Sequence, residues 1–149
     1  MSTDASPTNQ SVLAVPGGDL ERLQNSEHHD PHSLLGAHPV GDGLVVRTHH
    51  PDAEGCELLL DGEAWPMESI GGGVFGVLLP QHELPLAYEL RFSFPDGSSW
   101  VRGDPYRFTP TVGEMDAYLF NEGTHRKLWM VLGAHVREHE GVRGTSFCV

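Results

Sequence analysis

The tetrapeptide Leu35-Gly36-Ala37-His38 occurs a second time as Leu132-Gly133-Ala134-His135. The two copies lie about 100 residues apart, which is the size of one small β-sandwich domain. Each copy follows a short helical pattern and leads, after a polar gap, into a β-prone run, at residues 43–48 and 144–149. A repeat at this distance is typical of tandem domains, because solenoid repeats are shorter. The repeat therefore predicts one complete module followed by the start of a second.

Six β-prone segments follow the first copy at short intervals. They are residues 44–49, 56–60, 64–67, 74–79, 87–94 and 99–102. The clearest is 87–94, where apolar and polar side chains alternate as they do in a half-buried strand. Short strands joined by Gly- and Pro-rich turns predict an all-β fold, namely an immunoglobulin-like antiparallel β-sandwich over residues 18–103.

Short helices are expected on the N-terminal side of this sandwich. Residues 1–17 are rich in Ser, Thr, Pro and Gly and predict a flexible tail. Residues 18–23 predict a short helix with Asp19 as its N-cap. A helical turn begins at Asp30 and Pro31 and ends at Gly36.

The pattern changes after Gly103 and predicts a helical connector over residues 104–135. Residues 104–110 contain two prolines and should be extended. Asp116 is expected to cap a helical turn at 117–120, and Thr124 a helix at 125–132. Residues 136–149 are then the truncated start of a second β-sandwich module.

Composition excludes several classes of function. A net charge of −12 over 149 residues opposes binding to nucleic acid and to anionic membrane surfaces, whereas a neutral polysaccharide is not repelled. No apolar run approaches the ~20 residues of a membrane span, and the first residues lack a signal-peptide pattern, so the expected location is the cytoplasm. Cys56 and Cys148 lie in apolar strand patterns and are expected to be buried free thiols.

A series of motifs in the second half resembles the N-terminal region of bacterial 1,4-α-glucan (glycogen) branching enzymes, of the α-amylase superfamily. In order, the motifs are DPYRF at 104–108, GEMD at 113–116, LFNEG at 119–123, LW at 128–129, LGAH at 132–135 and GVRGTSF at 141–147. The upstream DPH at 30–32 and LGAH at 35–38 also fit. The resemblance covers about residues 27–149 and is most specific between 104 and 147.

The resemblance implies a function in glycogen biosynthesis, and it implies that the second module, which starts at residues 136–149, is glycogen-binding-like. Enzymes of this family cut an α-1,4-glucan and transfer the segment to a 6-hydroxyl by a retaining double displacement on a barrel domain. A chain of 149 residues is shorter than the roughly 250 of such a barrel, so the chain alone is expected to be inactive. None of the barrel motifs occurs, so no catalytic residue, cofactor or metal ligand is assigned. The implied partners are α-glucan and the downstream domains of a parent enzyme.

The other constellations favour structural roles. Glu114 and Asp116 are two positions apart, which separates their side chains on a strand or on a helix. Histidines cluster at 28, 29 and 32 and at 49 and 50, but no set of thiols or carboxylates completes a metal site. His38 and His135 occupy the same place in the repeat and predict a shared hydrogen bond to the chain.

Three aromatic residues remain as candidates for stacking on sugar rings, namely Trp100, Trp65 and Tyr106. Aromatic residues in strands also pack in cores, so both roles stay open. The predicted function is an accessory module of a branching enzyme, and the alternatives are a stand-alone glucan-binding module or a non-binding spacer. Residues 145–149 are expected to form an unpaired strand whose exposure promotes self-association.

Overall fold

The computed structural model describes residues 11–149. Residues 1–10 of the predicted tail therefore lie outside the described residues. The described part of that tail is held in place: Arg47 donates hydrogen bonds to the carbonyl oxygens of Val12 and Leu13, at 2.7 and 2.9 Å. The Leu13 side chain is buried. No helix within residues 11–149 is long and apolar enough to cross a membrane.

The chain forms two compact units, which divide between Arg107 and Phe108. Residues 104–107, expected in the connector, thus belong to the first unit. The remainder of the expected connector forms one unit with the last two strands.

The first unit is a sandwich of two four-stranded antiparallel sheets. One sheet has the order β1-β2-β6-β5 and the other has the order β4-β3-β7-β8. The strands are β1 (Gly36–Val40), β2 (Gly43–His49), β3 (Gly55–Leu60), β4 (Glu63–Pro66), β5 (Glu68–Gly71), β6 (Val74–Pro80), β7 (Glu89–Ser93) and β8 (Ser99–Gly103). This architecture confirms the predicted all-β sandwich, and each of the six predicted segments corresponds to one strand.

The core lies between the two sheets and follows from the alternation of each strand. Along the 87–94 segment, Tyr88, Leu90 and Phe92 are almost fully buried, while Glu89 and Ser93 are exposed. Facing side chains from β2 and β6 complete the same apolar cluster. At roughly 25 cal/mol per Å² of buried apolar surface, this cluster is the main source of stability for the fold.

In the first unit two strands were not predicted, β1 and β5. β1 has the sequence GAHPV, and its Pro39 has no N–H for a ladder, which is why the segment does not resemble a central strand. The structure places β1 at a sheet edge, where such a residue is tolerated. β5 is only four residues long, and its register with β6 shifts between Ser69 and Gly71.

A helix and a second apolar cluster lie beside the first sheet. Helix α1 (Gly17–Gln24) begins after Pro16, and Asp19 does not cap it as predicted but forms an ion pair with Arg22 at 3.0 Å. Asp30 precedes a 3₁₀ turn at Pro31–Ser33 without a side-chain cap. The buried residues of this cluster are Leu23, Leu35 and Val74.

The second unit contains helix α2 (Glu114–Asn121) and a β-hairpin. Asp116 is not the N-cap of α2 but accepts a hydrogen bond from the Gly113 N–H at 3.3 Å, inside the first turn. The helix predicted at 125–132 is wrong, because only a 3₁₀ turn forms at Leu128–Met130. The His125 ring accepts the Lys127 N–H at 3.1 Å, a local bond that competes with helical pairing.

The hairpin consists of β9 (Gly133–His139) and β10 (Val142–Cys148), which pair over seven residues. The predicted unpaired strand at 145–149 is therefore wrong. Glu140 and Gly141 form the turn, both with positive φ, which suits a two-residue hairpin turn. The Glu140 carboxylate also accepts hydrogen bonds from the Thr109 N–H and hydroxyl, at 3.2 and 3.0 Å, and thereby anchors the turn.

The repeated tetrapeptide builds the same local structure twice. Each copy follows a 3₁₀ turn and opens the first strand of a hairpin. The His38 Nε2–H donates to the Leu35 carbonyl oxygen at 2.9 Å, and the His135 Nε2–H donates to that of Leu132 at 2.8 Å. The predicted shared role of the two histidines is confirmed.

Candidate functional site

Trp100 lies on β8, the edge strand of the second sheet, with 57% of its surface exposed. Its register partner is Phe92, so the indole is on the core-facing side of the sheet. The indole packs against the half-buried Phe94, with ring centroids 4.8 Å apart and planes tilted by 48°. A fixed, solvent-accessible indole of this kind is a suitable platform for the apolar face of a sugar ring.

His50 packs against the aromatic side chains that lie next to the Trp100 indole. Its ring contacts Phe94 at 5.1 Å and Phe92 at 5.0 Å between centroids. Burial, followed by the positive charge of Arg102, lowers the pKa of His50 and so favours its neutral form. A neutral ring packs against the two phenyl groups with a smaller desolvation cost than a charged one. His50 therefore helps to fix the aromatic side chains behind Trp100.

Arg102 is the next residue on the same face of β8. Its register partner is Leu90, and the guanidinium lies over the Phe92 ring with its central carbon 4.8 Å from the ring centroid. The Arg102 side chain thus shields the buried phenyl group while the residue itself is exposed. Arg102 was not predicted from the sequence, and the signal that points to it is its two-residue spacing from Trp100 on the same strand.

Trp65 is not brought together with Trp100. It lies on β4, the opposite edge of the same sheet, where it is half-buried. Three strand spacings of about 4.8 Å separate the two edges. The Trp65 indole packs against the sandwich core and stands at right angles to the His82 ring, 6.0 Å away. Trp65 could form only a separate and less accessible contact.

Tyr106 belongs to the packing of the first unit. It lies in a 3₁₀ turn at Pro105–Arg107, is half-buried in the second apolar cluster, and meets the His32 ring edge-on at 4.8 Å. Its backbone carbonyl closely approaches Gly36, where a side chain would collide with it. Its ring is committed to these contacts and is not joined to the surface around Trp100.

Asp104, which opens the DPYRF motif, is a buried structural carboxylate. Its oxygens accept hydrogen bonds from the Tyr88 hydroxyl and from the Tyr106 N–H, the latter at 3.0 Å. Burial raises the pKa of Asp104, and the Tyr88 hydrogen bond opposes that rise. The Tyr88 pKa is also raised, first by burial and then by the Asp104 charge. The pair ties the start of β7 to the residues that follow β8.

Asp116 in the second unit is paired with a histidine rather than with Glu114. The His125 Nε2–H donates to Asp116 at 2.8 Å, which holds the pKa of that carboxyl below its usual range, while Glu114 is exposed at the first residue of α2. Among residues 11–149 no group of three or more His, Cys, Asp or Glu side chains is arranged to hold a metal ion.

The outer face of the second sheet carries a shallow groove between the β3–β4 turn and the start of β7. Its lining includes Leu59, Glu63, Glu89, Arg91 and Arg107 but no aromatic side chain. Arg91 is paired with Glu57 across the face at 3.0 Å. The groove thus lacks a stacking platform, which distinguishes it from the edge at Trp100.

Comparison with known proteins identifies the family. The family model for the N-terminal domain of the alpha-1,4-glucan branching enzyme GlgB matches residues 17–106. The chain is 44% identical over 142 residues to the 1,4-alpha-glucan branching enzyme GlgB of Rhodococcus jostii (strain RHA1), covering 93% of this chain and 19% of that protein.

Two other relatives agree. The GlgB of Mycolicibacterium paratuberculosis (strain ATCC BAA-968 / K-10) is 45% identical over 141 residues, covering 92% of this chain and 19% of that protein. The GlgB of Frankia casuarinae (strain DSM 45818 / CECT 9043 / HFP020203 / CcI3) is 46% identical over 143 residues, covering 91% of this chain and 17% of that protein. The chain spans about a fifth of the length of these relatives. By its matched domain, the chain belongs to the family of the N-terminal domain of the 1,4-alpha-glucan branching enzyme GlgB.

Proposed function

We propose that this chain acts as an N-terminal accessory module of a 1,4-α-glucan branching enzyme and binds α-glucan weakly through Trp100. The parent reaction transfers an α-1,4-glucan segment to a 6-hydroxyl and so makes α-1,6 branches in glycogen. The module supplies no catalytic residue. Its part is to hold glucan chains near the enzyme that acts on them.

The exposed and supported Trp100 indole is the observation that carries this proposal. Apolar side chains of this size are normally buried, and here 57% of the residue remains accessible on a rigid strand. The net charge of −12 would repel an anionic ligand, whereas a neutral glucan is not affected by it. Trp65, being less accessible, is the second choice, and Tyr106 is the third.

Native gel electrophoresis with and without glycogen tests the proposal. The chain should be retarded by glycogen, and Trp100→Ala should weaken the retardation roughly fivefold, since one stacking contact is worth about 1 kcal/mol. Trp129→Ala is the matched control, because Trp129 is 71% exposed but lies in the second unit. Equal mobility of the parent chain in both gels would favour the spacer function instead.

An activity assay separates the accessory module from an enzyme. The purified chain should form no α-1,6 linkages from amylose, because its 149 residues are fewer than the roughly 250 of a (β/α)₈ barrel. Linkage formation that follows the chain through purification would refute this. Glucan retardation without any effect on a branching enzyme added in trans would favour a stand-alone binding module.

The proposed partners are α-glucan and the further domains of the parent enzyme. The proposed location is the cytoplasm. Fractionation of cells that express the tagged chain tests the location, and recovery in the membrane fraction would contradict it.

A further inference from the structure

Trp100 and Arg102 form a pair on one face of β8. Alternate residues of a strand point to the same side and lie about 7 Å apart. Their register partners, Phe92 and Leu90, are both core residues of β7, which places the two side chains together on the core-facing side. Because β8 is an edge strand, this side is open to solvent. A ligand stacked on the indole would therefore extend along the strand towards the guanidinium.

Arg102 is fixed but has unused hydrogen-bond donors. One face of its guanidinium lies on the Phe92 ring, at 4.8 Å from the centroid. Among residues 11–149 the Arg102 guanidinium forms no ion pair and no hydrogen bond. The nearby Asp104 is buried and already accepts from Tyr88 and Tyr106. Its five N–H donors thus form a rigid fork on an exposed residue beside an aromatic platform.

Sugar hydroxyls suit this arrangement better than an anion. The surrounding protein carries 21 acidic and 9 basic residues, so the general potential disfavours phosphates and carboxylates. Vicinal hydroxyls of a sugar accept hydrogen bonds in a forked geometry and carry no charge. A guanidinium held by stacking loses little side-chain entropy when it binds them.

We propose that Arg102 is a second contact of the Trp100 site and donates hydrogen bonds to hydroxyls of the glucose unit next to the stacked one. This inference rests on the proposed glucan binding through Trp100. It makes the site selective for linked glucose units over a single sugar. It also orients the bound glucan along β8, so that Trp100 and Arg102 together define a site for at least two units.

Titration of the ¹⁵N-labelled full chain with maltotriose and with glucose tests the inference. The chain without substitutions should bind maltotriose more tightly than glucose. Arg102→Gln should weaken maltotriose binding about three- to tenfold, the range expected for one lost hydrogen bond, and should leave glucose binding within about twofold. Arg102→Lys, which keeps the charge but not the fork, should retain only part of the affinity.

Arg91→Gln is the matched control, because it removes the same charge from the opposite face of the same sheet. Unchanged maltotriose binding in Arg102→Gln, together with lost binding in Trp100→Ala, would overturn the second contact and leave glucan binding at Trp100 intact. Parent-like binding in Trp100→Ala would overturn both. Concentration-dependent shifts of β8 amides without sugar would identify the edge as a contact between copies, which also overturns the inference.

Discussion

Replacing Tyr88 by phenylalanine tests the buried polar pair that closes the first unit. The Tyr88 hydroxyl donates to an oxygen of Asp104, and both residues are 1% exposed. The substitution removes the hydroxyl and leaves the ring, so the apolar packing changes little. The Asp104 carboxylate keeps the Tyr106 N–H at 3.0 Å but loses its side-chain donor.

The size of the effect follows from burial. A hydrogen bond to a charged group contributes about 1.5–3 kcal/mol, and water cannot replace the donor at a fully buried site. We therefore expect Tyr88→Phe to lower the free energy of unfolding of the sandwich by about 2 kcal/mol at pH 7. For a domain of this size, that corresponds to a fall in Tm of roughly 10 °C.

The effect should depend on pH with a defined sign. Burial holds the folded-state pKa of Asp104 above its ordinary value, so its contribution to stability is complete below that value and is lost as pH rises through the raised pKa. The Tyr88 hydroxyl limits this loss by stabilising the carboxylate. Without this hydroxyl the pKa of Asp104 rises further. The difference in the free energy of unfolding between Tyr88→Phe and the unsubstituted chain should therefore be largest at neutral pH and should narrow on acidification.

Urea unfolding followed by tryptophan fluorescence measures both effects. A Trp129→Phe background leaves Trp65 and Trp100, which both report on the sandwich. Tyr118→Phe is the control, since Tyr118 is an exposed residue of α2. A cost below about 0.5 kcal/mol at pH 7, or a cost that does not shrink on acidification, would refute the reasoning.

Three further predictions concern the repeated glycine, the two thiols and the exposed Phe147. Gly36→Ala should destabilise the sandwich by about 3 kcal/mol in thermal melts, because φ is +87° and the added Cβ would collide with a backbone carbonyl. Gly133→Ala should destabilise the second unit by only about 1 kcal/mol, because φ is +96° there but no atom lies close to the added Cβ. Equal losses of stability in the two variants would contradict this. Cys148 is half-buried and should react with a disulfide reagent at neutral pH. Cys56 should not react, because burial raises its pKa to about 12. Rapid labelling of both thiols would contradict this difference in reactivity. Phe147→Asp should reduce self-association in light scattering without loss of strand content, and unchanged scattering would show that the exposed ring plays no part in it.

Local patterns were sufficient to predict most of the sandwich. The alternation of 87–94 identified a strand with one buried face, and the two LGAH copies identified the hydrogen bond that His38 and His135 each form to the preceding chain. β1 was missed because Pro39 weakens its pattern, and only the pairing with β2 makes it a strand. The helix at 125–132 was wrongly predicted because helical spacing does not show that the His125 ring takes the Lys127 amide.

The candidate site depended on information that is not local. Trp65, Trp100 and Tyr106 have similar sequence contexts, each within three residues of a Gly or a Pro. Their accessibility differs because Tyr106 meets the elements around Gly36, whereas β8 ends the second sheet. An edge position is decided by the order of strands in the sheet, and that order is set by contacts between distant segments.

The two copies of the repeat form the same hairpin pairing, but equivalent side chains in the two copies differ in burial. Val46 pairs with Ala37 in the first copy, and Phe147 pairs with Ala134 in the second, so the two side chains hold equivalent positions. Val46 is 0% exposed because β2 also pairs with β6 and faces the second sheet, whereas Phe147 is 76% exposed. The local sequence therefore determines the pairing and the histidine bond, while burial requires partner strands. An isolated two-stranded hairpin is marginally stable in water. None of residues 108–149 is buried, so the hairpin of the second unit relies on its own pairing and on the Glu140 hydrogen bonds rather than on a core.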